Sequence, residues 1–176
     1  MKTYAVILRG VMPSGKNKVP MARLREVLVN AGFADAQTWI QSGNIALSSG
    51  LAPATLEARV QSLIKEHIGP DLAVVARTGQ QLRKTLSGNP FHHLDQSRVF
   101  YTFFKKPPAA KDLRALGEKD FGDDAIALAK DGAYLHIPGN AARSKLSNAA
   151  IEKELGIPAT TRNGNTVRKM IELCGL

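Results

Sequence analysis

One succession of short apolar runs and amphipathic stretches occurs twice along this chain, and few architectures of 176 residues can accommodate it. Residues 3–9 (TYAVILR) are β-branched and apolar and read as a strand. Pro20 suits a first helical position, Met21, Leu24, Leu28 and Ala31 follow at helical spacing, and Gly32 supplies the stop. AQTWIQSGNIALSS gives two short strands about a Ser42-Gly43 turn, because glycine accepts the positive φ of tight hairpins. A helix over 53–67 and a strand over 72–78 complete the order β-α-β-β-α-β.

After a helical connector (79–86) and the Gly88-Asn89-Pro90 breaker, the order begins again. Residues 97–104 predict a strand and 108–116 a helix. DAIALAK and AYLHIP predict a hairpin about Asp131-Gly132, 147–155 a helix, and IPATTRN a short strand. Asn165 is then expected to cap a last helix with Val167, Met170, Ile171 and Cys174 on its inner face. The expected fold is α+β: two ferredoxin-like (βαββαβ) halves packed together, with a C-terminal helix. The division is 1–78 for the first half, 79–96 for a connector, and 97–176 for the second half with its terminal helix. The repeat is one of pattern, with low residue identity between the halves.

With 44% hydrophobic residues the chain can bury a core, and no apolar run approaches the roughly 20 residues that span a bilayer. The first strand starts at Thr3, which leaves no room for a signal peptide, so a soluble cytoplasmic protein without membrane contact is expected. The lone Cys174 excludes an internal disulfide and reads as a structural thiol.

The net charge of +9 is unevenly placed. Residues 1–50 carry six Lys or Arg against two acids, residues 141–176 six against three, and the first acid in the chain is Glu26. Lys2, Arg9, Lys16, Lys18, Arg23 and Arg25 therefore have few local carboxylates to pair with, which favours an anionic partner over an evenly solvated surface.

Within that basic stretch, Gly10-x-x-x-x-Gly15-Lys16 follows a strand, one residue short of a P-loop. Asn17 occupies the position of the magnesium-binding hydroxyl, and Pro20 holds Val19 extended, which delays the helix whose N-terminus a P-loop uses. No strand ends in an Asp that could hold magnesium. What remains is a Gly-rich loop carrying Arg9, Gly15, Lys16, Asn17 and Lys18, a nest for an anion. In a ferredoxin-like unit the loop after the first strand and the hairpin after the second emerge at one sheet end. Gln41, Ser42 and Asn44 are thus expected beside Arg9 and Lys16.

LRGVMPSGKNKVPM, QSGN, NPF and ATTRNGNT, in this order, resemble domain-of-unknown-function family 1697, a bacterial family with LRGINVGGKNKVPM, QSGN, NPF and TTRNWNT at these places. The resemblance implies a two-part α+β fold with ferredoxin-like halves and brings no established activity. It marks Arg9, Gly10, Gly15, Lys16, Asn17, Gln41, Ser42, Gly43, Asn44, Asn89, Pro90, Thr161, Arg162 and Asn163. Met12-Pro13-Ser14 departs from the family's Asn-Val-Gly, and Gly164 stands where the family has Trp, so a role for a stacking ring does not carry over.

Other constellations carry less. His92-His93 near Asp95 lacks the further ligands of a metal site, so none is expected, and no cofactor is implied. Asp120, Asp123 and Asp124 read as a solvated loop, and the glycine-spaced aromatics of RNA-recognition domains are absent from NIALSSG. The leading reading is a binding protein for an anion: a nucleotide, a phosphate metabolite or a nucleic-acid backbone. The ligand residues are Arg9, Gly15, Lys16, Asn17, Lys18, Gln41, Ser42, Asn44, Asn89, Thr161, Arg162 and Asn163. Arg162, at the start of the last helix where a cation is disfavoured, is expected to share the anion with Lys16 or Arg9. Two alternatives stand beside it: a small phosphate-ester or acyl-phosphate hydrolase using Arg9, Lys16 and Asn44, by fold analogy, and a non-catalytic scaffold for acidic proteins.

Overall fold

The computed structural model describes Met1–Leu176, which divide into two compact units: Met1–Lys84 with Arg168–Leu176, and Thr85–Val167. The fold is mixed α+β, with two four-stranded antiparallel sheets and six α-helices. No helix is long and apolar enough to cross a membrane.

The first unit runs β1 (Lys2–Leu8), α1 (Met21–Asn30), β2 (Gln37–Trp39), β3 (Asn44–Ser49), α2 (Pro53–His67) and β4 (Val74–Thr78), followed by the start of α3 (Gly79–Ser87). Strand order is β2-β3-β1-β4. Tyr4–Leu8 in the central strand are all buried. Tyr4, Val6 and Leu8 alternate with Ala5 and Ile7, and they share a core with Ile45 and Leu47, with Leu24 and Leu28 of α1, and with Leu56, Val60 and Ile64 of α2. Each such side chain contributes roughly 1.5–3 kcal/mol by leaving water. Pro20 has φ −64° but ψ 123°, so it is the extended residue before α1 and not its first helical one. Pro53 does open α2, where its missing N–H costs nothing.

The second unit runs β5 (Val99–Phe104), α4 (Ala110–Gly117), β6 (Ala125–Leu128), β7 (Gly132–His136), α5 (Asn148–Leu155) and β8 (Ala159–Asn163), in the order β6-β7-β5-β8. Phe104, Leu135 and Ala159 of the sheet bury themselves with Leu116, Ile151 and Leu155 of the helices. In the β6–β7 hairpin Gly132 does not supply a positive φ. It is required because a Cβ there would stand 2.4 Å from the Thr102 carbonyl oxygen.

The last helix, α6 (Gly164–Leu173), is capped by Asn163 and not by Asn165: Asn163 Oδ1 accepts the Thr166 N–H at 2.9 Å. The sequence division kept residues 97–176 together, whereas Arg168–Leu176 group with the first unit. There Lys169 Nζ lies 5.2 Å from the Trp39 ring, and Cys174 and Leu176 close over Gly79 so tightly that a Cβ would approach each to 2.8 Å. Burial pushes the Cys174 thiol up to about 11.

Three of the four sheet edges are managed by short strands or carboxylates. Glu57 of α2, itself buried, accepts the outward N–H of Ala76 in edge strand β4 at 2.7 Å. Glu152 of α5 does the same for Ala159 in β8 at 2.9 Å. On β3, Asp35 takes the Ser48 N–H at 3.0 Å and so ends the three-residue edge strand β2.

Candidate functional site

The segment after β1 is a loop that closes on itself. Arg9 N donates to Ala73 O at 2.9 Å, and Gly10 turns the chain with φ +76°. Met12 then bridges to Lys18, with Met12 N on Asn17 O at 3.0 Å, and a 3-10 turn over Gly15–Asn17 fills the ring. The Asn17 amide is turned inward, its Nδ2 donating to Gly10 O at 3.4 Å. Met12, Pro13, Ser14, Gly15, Lys16 and Lys18 are exposed, and neither lysine makes an ion pair. The chain from Lys18 to Pro20 is extended and α1 starts only at Met21, so the helix N-terminus does not follow Lys16 as a P-loop requires.

The hairpin between β2 and β3 abuts this loop. Leu8 N donates to Gly43 O at 2.8 Å, and Gly43, with φ +81°, sits where a Cβ would be 2.7 Å from Val11 and 2.8 Å from Leu8. The positive φ read from the sequence is therefore present, and close approach is a second demand on the same glycine. Asn44 is fully buried and staples the hairpin: its Nδ2 donates to Trp39 O at 3.1 Å and to Ser42 Oγ at 2.9 Å. It holds Ile40 at φ +47°, a conformation a β-branched residue rarely adopts, and leaves Ile40 and Gln41 exposed. The structure thus brings Arg9, Gly10, Val11, Asn17, Ser42, Gly43 and Asn44 to one end of the first sheet, with Lys16, Lys18 and Gln41 presented outward.

The remaining candidates belong to the second unit, and each has fold partners. Asn89 is buried, its Nδ2 donating to Gln96 Oε1 at 2.9 Å and Tyr101 OH at 3.3 Å while its Oδ1 accepts the Phe91 N–H at 2.9 Å. That closes an Asx-type turn and accounts for Asn-Pro-Phe in structural terms. The Thr161 hydroxyl lies between Thr102 and Asn148, 2.8 Å from each. Arg162 folds back along its own strand, Nη1 reaching Thr160 Oγ1 at 2.8 Å and Thr161 O at 2.9 Å. His92 Nδ1 lies 3.2 Å from Asn89 O, and no group of three or more His, Cys, Asp or Glu is placed to hold a metal.

One repeat escaped the sequence reading. Arg77-Thr78-Gly79 ends β4 and opens α3, as Arg162-Asn163-Gly164 ends β8 and opens α6. Arg77 Nη1 donates to the preceding carbonyl, Ala76 O, at 2.9 Å, as Arg162 does to Thr161. Thr78 and Gln81 form a reciprocal capping box, where Asn163 caps alone. The signal was a three-residue Arg-x-Gly spacing at the same place in each half.

The model of the family "Protein of unknown function (DUF1697)" matches residues 1–134, a span that contains the closed loop and the hairpin. The conserved bacterial protein SP0830 from Streptococcus pneumoniae is similar in fold: TM-score 0.73 and 22% identity, over 98% of each chain. No curated protein matches the chain.

Proposed function

From the premise that the chain belongs to the DUF1697 family, we propose that it binds an anionic ligand, a phosphate-bearing metabolite, a nucleotide or a nucleic-acid backbone, at the end of the first sheet. The observation that carries this reading is the pair Lys16 and Lys18, exposed and without ion pairs on a loop that its own hydrogen bonds hold closed. Two cations presented on a fixed frame meet an anion with little of the ordering cost a flexible loop would incur. Arg9, Gln41 and Ser42 border them; Gly15, with φ +77° and nothing within 4 Å of its Cβ position, lets backbone approach the ligand. Asn17 and Asn44 act by shaping the loop and the hairpin. The strand order shared by both sheets supports reading each unit as a ferredoxin-like half.

Isothermal titration with tripolyphosphate and with a single-stranded oligonucleotide tests the reading. A charge-assisted contact is worth about 1.5–3 kcal/mol, so Lys16→Ala and Lys18→Ala each weaken binding about tenfold or more. Neither lysine side chain has a partner in the fold, and the backbone bonds of Lys18 survive the substitution, so melting temperatures stay the same. Nucleic acid is distinguished by a salt slope of about −0.7 per phosphate contact on the single-stranded probe. Wild-type protein that binds neither probe, or a double variant that binds both as well as wild type, refutes the proposal.

A further inference from the structure

One sheet edge is left open. Ala129 N donates to Gly132 O at 2.8 Å, and the β6–β7 register sets Ala127 against Tyr134 and Ala125 against His136. Antiparallel ladders alternate, so Ala125, Ala127 and Ala129 spend their backbone groups on β7, while Ile126 and Leu128 turn theirs outward. No backbone or side-chain group takes the N–H of either residue. Ala125–Leu128 are all half-buried and none is polar. The corresponding edges β4 and β8 each have a carboxylate, Glu57 or Glu152, on one outward N–H, that of Ala76 or Ala159, and β2 has a single residue, Thr38, between its two ladder positions. An apolar strand with an uncovered edge is a template for another strand.

We propose that β6 pairs antiparallel with β6 of a second copy of this chain, joining two four-stranded sheets across a two-fold axis. Charge selects both the occupant and the register. With Ile126 opposite Leu128 of the other copy, and the reverse, Ala127 meets Ala127 on the axis and Asp124 meets Lys130 at both ends. Lys130 is exposed and has no ion pair, and Asp124 engages only its Oδ2, with Ser144. Slipping the register to Ile126 on Ile126 sets Asp124 against Leu128, and Leu128 on Leu128 sets Lys130 against Ile126. Only the first register pairs opposite charges, which favours it among cross-strand neighbours. It also sets Asp123 opposite Asp131 one step beyond the ladder, so the association is weak and reversible. Two-fold pairing of this kind uses up the β6 edge of both copies and closes on itself, leaving as outer edges only the two β8 strands, where Glu152 takes the outward N–H of Ala159.

The test uses the full chain. Sedimentation velocity over rising concentration is expected to show a monomer–dimer equilibrium. In a Cys174→Ser background, Ala127→Cys places two thiols on the axis, where Cβ atoms of a non-hydrogen-bonded pair lie about 4.5–5.5 Å apart, and mild oxidation yields a covalent dimer. Lys111→Cys, exposed on α4, is the control for random collision. Lys130→Asp weakens dimerisation about tenfold. A chain monomeric at every concentration, with Ala127→Cys cross-linking no faster than the control, overturns the proposal. A dimer indifferent to Lys130→Asp overturns the register.

Discussion

Gly43 and Val11 touch where no side chain could intervene: a Cβ on Gly43 would stand 2.7 Å from Val11 Cγ2. Through that contact, and the Leu8 N–H on Gly43 O, the hairpin tip and the basic loop form one body. The positions of Lys16 and Gln41 are therefore set together.

Gly43→Ala meets both a steric clash and a left-handed backbone, and each costs about 1–3 kcal/mol. Gly15→Ala has the second problem alone, since φ is +77° and nothing lies within 4 Å. Urea unfolding is expected to show Gly43→Ala destabilised by about 3 kcal/mol and Gly15→Ala by about 1 kcal/mol. Equal losses would contradict the packing of hairpin on loop.

Glu57 replaces a neighbouring strand for Ala76. Glu57→Ala leaves a buried N–H without an acceptor and is expected to cost about 1–3 kcal/mol. Glu57→Gln keeps a carbonyl oxygen in place and costs less. Hydrogen exchange at the Ala76 amide should accelerate in the alanine variant and stay near wild type in the glutamine one; the reverse order would show that the carboxylate's charge, and not its oxygen, matters.

The Ser48 hydroxyl, and after it the Ser48 backbone N–H, hold the Asp35 carboxyl below its ordinary 3.8. A depressed carboxyl contributes stability that is present above its unfolded pKa and lost as pH falls through the lower folded one. Side-chain NMR titration of Asp35 is expected to give a value that rises towards the ordinary one in Ser48→Ala, with acid unfolding of that variant moving to higher pH. An unmoved Asp35 titration would remove the hydroxyl from the explanation.

What could be read in the chain followed from local rules. Apolar alternation in TYAVILR and helical spacing in 53–67 located elements whose faces are now buried, because burial on one or both faces is what such patterns encode. Gly43 was legible because a tight turn states its need in φ. Gly132 was legible as a turn but for another reason, since its neighbour Thr102 lies thirty residues away and only the folded sheet brings that carbonyl within 2.4 Å. The cap on α6 was misplaced by two residues because Asn163 and Asn165 are equally good caps in sequence, and the end of β8 decides between them. Among the candidate ligands, Lys16 and Lys18 kept the solvent exposure their unpaired charges suggested. Asn89 and Thr161 turned out to have partners that are distant in sequence or on other elements, and no local pattern announces those.

The Met12–Lys18 bridge separates the fate of the loop from that of the sheet. Because the ring is shut at its neck by Met12, Asn17 and Lys18, side chains at 13, 14 and 16 can be exchanged without shifting β1 or α1, and Pro13-Ser14 lie inside that exchangeable stretch. The outward chemistry of this end of the molecule is in that way uncoupled from the folding of the sheet behind it.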